Sequence, residues 1–186
     1  MVPDRRSLIL AAALKAVGRR GYSATSMRDI AGEAGVAQGL IHYYYATKDV
    51  LLVAVVRAML DEQLARLRKS LDAVRGSSRA RAQAGLAAAR DKALGDRRRW
   101  RLFFEVLAAD SREGHGKLAE AFADRRALVS EVVAEVRGHD DAGSVALLVD
   151  AVMLGLAAER LAGATDADIE AAYDLFTRMV DTKGSP

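Results

Sequence analysis

Hydrophobic residues recur three or four positions apart along most of the chain, and no segment alternates in the manner of a strand. The clearest series, whose members step by 4, 4, 3, 4 and 3, consists of Val56, Leu60, Leu64, Leu67, Leu71 and Val74. This spacing is typical of an α-helix that buries one side. Both prolines, Pro3 and Pro186, lie at the ends, so none interrupts a helix. The pattern predicts an all-α fold.

Glycines and capping residues divide this pattern into about nine helices. The first runs from Asp4 to Arg19 or Arg20, and Gly21 ends it. The second starts at Thr25 or Ser26, and a short third reaches about Tyr44. The fourth, long helix starts near Lys48 and is expected to continue to Gly76. The remaining five are expected at residues 79–94, 98–110, 117–136, 143–162 and 166–180.

Composition limits the classes of protein that the chain can represent. Hydrophobic residues make up 51% and charged residues 28%, which is typical of a soluble globular protein. No run of 18 apolar residues is present, so no membrane partner is expected. The basic N-terminal segment has no cleavage site of the signal-peptide type, which favours a cytoplasmic protein. The absence of cysteine excludes disulfides, thiolate nucleophiles and cysteine metal sites.

The charge is distributed unevenly along the chain. Residues 1–48 contain seven basic and three acidic residues, whereas the remainder contains 21 basic and 22 acidic residues. A basic N-terminal segment on a nearly neutral body favours contact with phosphates, although many proteins show a similar excess by chance.

The segment Arg28–Tyr45, RDIAGEAGVAQGLIHYYY, has the steric pattern of a helix-turn-helix. Ala31 is small enough for two helices to cross closely, and Gly35 can adopt the left-handed conformation that the turn needs. Apolar side chains then fill the angle between the helices. A plain helical hairpin is the alternative reading of the same spacing. In the helix-turn-helix reading the second helix presents its polar residues outward as a recognition helix.

The same region resembles the DNA-binding signature of the tetracycline-repressor (TetR) family. Gly21-Tyr22 precedes Thr25, and IAGEAGVAQG and IHYYYATKDVLL follow. The similarity covers about the first 50 residues. His42 departs from it, because the family usually has tyrosine there, and Tyr45 replaces the usual phenylalanine. The resemblance implies a three-helix DNA-binding domain at residues 1–49 and a helical ligand-binding and dimerisation domain at residues 50–186. It also implies a transcriptional repressor that binds palindromic operator DNA as a homodimer and is released by a small effector.

The expected DNA contacts follow from the chemistry of each side chain. Hydroxyls and backbone N–H groups at a helix start suit a phosphate, or serve as caps. Gln38 can bind adenine through two hydrogen bonds, and Arg28 can bind guanine or a phosphate or remain a surface arginine. Ala37 and Gly39 allow close approach, and the tyrosine hydroxyls and the lysine suit phosphates. The predicted DNA-binding residues are Thr25, Ser26, Arg28, Ala37, Gln38, Gly39, His42, Tyr43, Tyr44 and Lys48.

His42 adds a further hypothesis. A neutral imidazole can donate to or accept from a base edge or a phosphate, whereas a protonated ring adds positive charge. DNA binding is therefore expected to tighten modestly in acid.

Helix eight is apolar on two sides and needs two neighbours. The resemblance implies that helices eight and nine pair with their copies in a second subunit; the alternative is a helix buried in its own monomer. The predicted interface consists of Val145, Leu148, Val152, Leu156, Ile169, Tyr173, Phe176 and Val180.

Aromatic and methionine side chains suggest where an effector binds, although such a cluster is more often ordinary core. Few charges interrupt these faces, so the expected ligand is apolar or amphipathic. The predicted ligand-binding residues are Met59, Trp100, Phe103, Phe104, Leu107, Phe122 and Met153.

Other classes of protein are weaker readings of the sequence. A di-iron bundle enzyme needs Glu-x-x-His motifs, and none of the three histidines has a glutamate three residues before it. No phosphate-binding glycine loop is present, so neither an enzyme, a cofactor nor a metal is expected. An architectural DNA-binding protein would not need so large an apolar body. A transcriptional activator with the same fold remains open.

Overall fold

The computed structural model describes residues 4–93, 95–112 and 116–181, and their regular structure is entirely α-helical. Nine helices occur in these residues, and none of them is long and apolar enough to cross a membrane. Their bounds are α1 Arg5–Arg20, α2 Met27–Ala34, α3 Gln38–Tyr44, α4 Lys48–Asp72, α5 Ser78–Ala93, α6 Arg97–Arg112, α7 Ala119–Arg137, α8 Ala142–Ala162 and α9 Asp166–Asp181.

The all-α prediction and the number of helices are confirmed. The largest difference lies in α4, which ends at Asp72, four residues before the glycine expected to terminate it. Val74, the last member of the predicted apolar series, therefore lies beyond the helix. The expected end of the fifth helix at Leu94, and His115 in the following break, fall outside the described residues.

Helix α1 shows why the hydrophobic pattern was informative. Its buried residues are the ones that the spacing predicts, namely Ile9, Ala12, Ala13, Ala16 and Val17. Each of the five lies three or four positions from another member of the set, and three are alanines, which allow a neighbouring helix to pack closely. Gly21 ends the helix at a φ of 82°, and its N–H donates to the Val17 carbonyl.

The chain divides into two compact units. Of the described residues, unit 1 contains those up to 61 and 98–120, and unit 2 contains 62–97 and 121–181. Unit 1 therefore includes α1–α3, the first half of α4 and most of α6. A Cβ on Gly18 of α1 would lie 3.6 Å from Arg98 Cδ of α6, so these helices are in contact. The predicted boundary at residue 50 differs from this division because it follows the binding motif and not the packing.

Unit 2 has its own core. Val149, Met153 and Tyr173 are buried at its centre, and partly buried apolar residues of α5, α7, α8 and α9 pack around them. The Tyr173 hydroxyl donates to the Leu86 carbonyl of α5. An ion pair between Arg125 of α7 and Asp150 of α8 is also buried.

Candidate nucleic-acid interface

The turn between α2 and α3 has the geometry that the helix-turn-helix pattern predicts. Gly35 is left-handed at φ 65° and ψ 33°, and its N–H donates to the carbonyls of Ala31 and Gly32. Ile30 and Ile41 are fully buried in the angle between the two helices. A residue other than glycine would be strained at this φ. The turn thus fixes the angle at which α3 leaves α2.

A capping box closes the N-terminus of α2. The Ser26 hydroxyl accepts from the Asp29 N–H at 3.1 Å, and Asp29 Oδ2 accepts from the Ser26 N–H at 2.9 Å. Hydrogen bonds from Ser26, and secondly the Arg20 guanidinium, hold the pKa of Asp29 below its usual value. The box already uses groups that were predicted to bind phosphate. The N–H groups of Met27 and Arg28 remain without an intrahelical acceptor.

Thr25 requires a correction. Its side chain is only 2% exposed, and its hydroxyl donates to the Gly21 carbonyl at 2.7 Å. The hydroxyl therefore satisfies the end of α1 and is not available for the predicted phosphate contact. Ser26, and not Thr25, is the N-cap of α2.

The predicted outward residues of α3 are exposed. These are Ala37, Gln38, Gly39, His42 and Tyr43, the last with 82% of its surface exposed. Gln38 Nε2 lies 3.3 Å from His42 Nε2, one helical turn away. A Cβ on Gly39 would meet nothing within 4 Å, so packing within the chain does not require glycine there. This face of α3 serves no other element of unit 1.

The tyrosines that follow His42 differ in their surroundings. Tyr44 is half-buried, and its ring packs edge to face against Tyr43 with the centroids 5.2 Å apart. Tyr45 is buried, and its hydroxyl accepts from Arg6 Nε at 3.2 Å. Tyr45 therefore anchors α1 to the end of α3.

Lys48 has a structural partner that sequence reasoning missed. Its Nζ donates to the Tyr22 carbonyl at 3.0 Å and lies 4.7 Å from the Tyr22 ring centroid. The Tyr22 hydroxyl in turn bonds Asp49. These contacts explain a lysine at a helix start, where the helix dipole disfavours a cation. An ammonium group has three donors, so the phosphate contact stays a prediction.

Ion pairs between α1 and α2 were also missed. Lys15 Nζ lies 2.6 Å from Glu33 Oε1, Arg19 binds the same carboxylate, and Arg20 binds Asp29. Part of the basic charge of residues 1–48 is therefore used inside unit 1, which weakens the argument from charge alone. Arg28 is exposed and forms no ion pair within the described residues.

The residues predicted to bind an effector fall into both units. In unit 1, Trp100, Phe103 and Phe104 form one aromatic group with ring centroids 5.4 to 6.0 Å apart. Met59 is buried and Leu107 is half-buried. Phe122 and Met153 belong to unit 2, where Met153 is part of the core.

The predicted dimer residues are also of two kinds. Ile169 and Tyr173 are in the interior of unit 2, so they cannot form an exposed interface in this conformation. Leu148 is 61% exposed, and Val145, Val152, Leu156, Phe176 and Val180 are half-buried. The large apolar residues that unit 2 exposes on α8 and α9 also include Leu147, Leu175 and Met179.

Comparison with known proteins finds a family that is similar to the N-terminal region. Residues 9–55 match the family described as bacterial regulatory proteins, tetR family. The HTH-type transcriptional regulator BetI of Rhizobium meliloti (strain 1021) is 42% identical over 60 residues, which span 32% of this chain and 30% of that relative. The similarity to this relative is therefore confined to the region of α1–α4.

Two solved structures are similar over nearly the whole chain. A transcriptional regulator of Saccharomonospora viridis in complex with choline is 20% identical, with a TM-score of 0.76 and 96% of each chain covered. The regulator FadR of Bacillus subtilis in complex with stearoyl-CoA is 15% identical, with a TM-score of 0.72 and 97% and 99% covered. Identities this low establish the fold alone.

Proposed function

Because residues 9–55 match the family described as bacterial regulatory proteins, tetR family, we propose that the chain is a ligand-responsive repressor of that family. It binds palindromic operator DNA as a homodimer and leaves the DNA when a small molecule binds. The observation that carries this proposal is the exposed face of α3. The face follows a fixed turn at Gly35, is rich in hydrogen-bonding groups, and packs against nothing else in unit 1.

The proposed DNA contacts combine base recognition with phosphate binding. Gln38 binds a base edge in the major groove, while the small residues Ala37 and Gly39 allow the backbone of α3 to approach the DNA. Phosphates are bound by Arg28, Tyr43 and the free N–H groups at the start of α2, with further contacts from Ser26, Tyr44 and Lys48. Base contacts supply specificity, whereas phosphate contacts fix the position of the protein on the duplex.

The proposed dimer interface is the exposed apolar face of α8 and α9. It combines large side chains, Leu147, Leu148, Leu175 and Met179, with small exposed residues such as Ala151 and Ala158 of α8. Gly155 lies on the same helix, and a Cβ there would meet nothing within 4 Å. Glycine in a helix costs about 1 kcal/mol relative to alanine, so an exposed one favours close approach by a partner helix. A two-fold dimer also matches a palindromic site.

The proposed effector is apolar or amphipathic. The structural neighbours were solved with choline and with stearoyl-CoA, which are both amphipathic or partly apolar. In unit 1 the proposed ligand contacts are Trp100, Phe103 and Phe104, because aromatic faces bind both cationic heads and apolar chains. Trp100 and Phe103 are buried and Phe104 is half-buried, so Phe104 is the ring that a ligand can reach in this conformation. Glu105 lies on the same helix, and its Oε2 is buried without a hydrogen-bond partner among the described residues.

DNA binding is tested with the purified full-length protein. Genomic fragments that the parent protein binds are first selected from a pool that includes the DNA directly upstream of its own gene. The affinities of the parent and of Gln38→Ala for these fragments are then measured in gel-shift titrations. Gln83→Ala is the matched control, since Gln83 is an exposed glutamine of α5 in unit 2. Loss of one bidentate base contact weakens specific binding by about tenfold, and the control leaves binding unchanged. Selection of no sequence above random DNA at low salt overturns the proposal.

The dimer is tested with Leu148→Glu, and Val136→Glu is the control because Val136 is an exposed apolar residue of α7. A buried unpaired carboxylate at the interface converts the parent dimer into a monomer in sedimentation experiments. The control variant stays dimeric. If both variants behave alike, the dimer does not use this face.

The effector is tested by titrating choline and stearoyl-CoA into the complex of protein and selected DNA. Release of DNA by either probe, and its loss in Phe104→Ala, supports the proposed ligand class. Reporter expression with and without the gene then gives the sign of regulation, because an activator would use the same DNA contacts.

A further inference from the structure

Two side chains on the exposed face of α3 are joined in a way that bears on DNA sequence recognition. Gln38 and His42 lie one helical turn apart, and their Nε2 atoms are 3.3 Å apart. Residues at this spacing face the same side of a helix. The amide nitrogen of glutamine carries two hydrogens and can only donate. With the amide in this orientation, His42 Nε2 accepts the bond, which corresponds to a neutral ring with its proton on Nδ1.

This bond uses one amide hydrogen of Gln38 and leaves the other groups free. If the hydrogen bonded to His42 is the one on the side away from Oε1, the remaining N–H and Oε1 lie side by side, and these are the donor and acceptor that the adenine edge requires at N7 and N6. The histidine ring thus removes the rotational freedom of the amide about its last torsion. The loss of conformational entropy on ordering this side chain therefore occurs before DNA is bound.

We propose that His42 is a positioning residue that fixes the orientation of the Gln38 amide for adenine, and that protonation of His42 cancels this preference. The inference rests on the proposed function of α3 in DNA recognition. A protonated ring donates from both nitrogens and cannot accept from Gln38. The amide must then either turn, so that Oε1 accepts from the ring, or lose the contact. A turned amide exchanges the positions of donor and acceptor, and the match to adenine is lost.

The charged side chains near His42 are few, and most of them already have a partner. Helix α3 contains no Lys, Arg, Asp or Glu. The charged residues of the adjacent helix α2 are Arg28, Asp29 and Glu33, and both carboxylates are paired with basic side chains of α1. Arg6 of α1 is bound to the Tyr45 hydroxyl. Histidine is the side-chain type whose charge ordinarily changes between pH 5 and pH 8.

Specificity and overall affinity are then expected to respond to acid in opposite directions. The added charge strengthens phosphate contacts on every sequence, so binding to random DNA tightens. The discrimination of an A·T pair at the position read by Gln38 falls by about tenfold, the value of one good bidentate contact. A histidine that served only as a phosphate ligand would strengthen binding without altering base preference.

The test uses the full-length protein and duplexes selected from a random library at pH 8. Each position of the selected site is changed in turn to the other base pairs, and affinities are measured at pH 8 and pH 5.5 at constant ionic strength. The variants are Gln38→Ala, His42→Ala, their combination, and His42→Gln, in which a glutamine oxygen can accept but does not titrate. His139→Gln is the control, since His139 is an exposed histidine between α7 and α8.

The parent is expected to prefer A·T about tenfold at one position per half-site at pH 8 and to lose the preference at pH 5.5. His42→Ala loses most of it at both pH values, and the double variant is no worse than Gln38→Ala. His42→Gln keeps the preference at both pH values, and the control behaves like the parent. Three results would overturn the inference while leaving DNA binding intact. They are an undiminished A·T preference in His42→Ala, losses of preference in the two single variants that add in the double variant, and a preference that does not change with pH. If the parent selects no sequence, the proposed function fails first and this inference fails with it.

Discussion

The two units of the chain differ in that unit 2 has a buried ion pair in addition to its surface pairs and exposes more large apolar side chains. Unit 1 keeps its ion pairs at the surface, where Lys15 and Arg19 bind Glu33 and Arg20 binds Asp29, and buries apolar residues of α1, α2 and α4. Unit 2 buries the ion pair of Arg125 and Asp150 and exposes large apolar residues on α8 and α9.

This difference indicates what each unit needs in order to be complete. Unit 1 presents a surface rich in hydrogen-bonding groups, which suits contact with a hydrated polyanion. Unit 2 leaves apolar area exposed, which favours association with another protein surface. The region of the family match, residues 9–55, lies within unit 1.

The largest expected effect on stability comes from breaking the buried ion pair. Asp150→Ala leaves the Arg125 guanidinium buried without its counter-charge, and burial already lowers the pKa of Arg125. Removing one partner of a buried pair costs about 3–5 kcal/mol. The free energy of unfolding from urea titration gives the value.

Two further variants make that measurement specific. Asp124→Ala removes an exposed carboxylate of the same region, α7, and is expected to change stability by less than about 0.5 kcal/mol. The double substitution Arg125→Met, Asp150→Leu recovers most of the loss, because apolar residues can replace a buried pair. An Asp150→Ala variant as stable as Asp124→Ala would show that the pair is solvated in solution.

A smaller effect is expected from the same substitution at two glycines of unit 1. Gly35→Ala forces a left-handed φ of 65° on a residue with a Cβ and costs about 1 kcal/mol. Gly39→Ala adds a Cβ that meets nothing in α3 and stabilises the helix by about 0.5–1 kcal/mol. Urea unfolding of both variants should therefore give changes of opposite sign. Equal signs would contradict the assignment of the turn to Gly35.

The smallest effect concerns the two capping boxes, one in each unit. Hydrogen bonds from Ser26 lower the pKa of Asp29, and those from Thr165 lower the pKa of Asp168. A folded-state pKa below the unfolded value contributes stability at neutral pH, and this contribution is lost as the pH falls through the folded pKa. The destabilisation caused by Asp29→Asn or Asp168→Asn, measured as a shift in urea midpoint, should therefore shrink in acid below the usual range of aspartate.

The dependence of stability on salt concentration distinguishes the two capping boxes. Asp29 also pairs with Arg20 at an exposed site, whereas only Thr165 and desolvation act on Asp168. Added 0.5 M salt, well above the concentration at which exposed charges are screened, should reduce the effect of Asp29→Asn more than that of Asp168→Asn. Equal salt responses would show that the pair with Arg20 contributes nothing.

The elements predicted correctly from the sequence are those set by local interactions. Helix number, the buried side of α1 and the left-handed Gly35 follow from periodicity, capping and the steric freedom of glycine. The exposed face of α3 follows from the same pattern, because the turn and the buried Ile41 fix which side faces outward.

The features that could not be predicted depend on contacts between distant parts of the chain. The bond from Lys48 to Tyr22, which joins residues 26 positions apart, requires the relative positions of two segments that local patterns do not specify. Periodicity also shows that α8 has two apolar sides but not which one its own unit covers. For that reason Tyr173, which is buried, was assigned to the interface, whereas the exposed Leu147 was not.

Footprinting of the full-length protein on its selected DNA tests the proposed mode of recognition most directly. Two α3 helices related by two-fold symmetry should protect two half-sites, centred about 10 bp or a multiple of it apart. Base changes within each half-site should weaken binding of the parent. At the one position that Gln38 reads, a base change should not weaken binding of the Gln38→Ala variant further. Protection of a single half-site, or protection that does not depend on sequence, would contradict a dimeric repressor that reads DNA through α3.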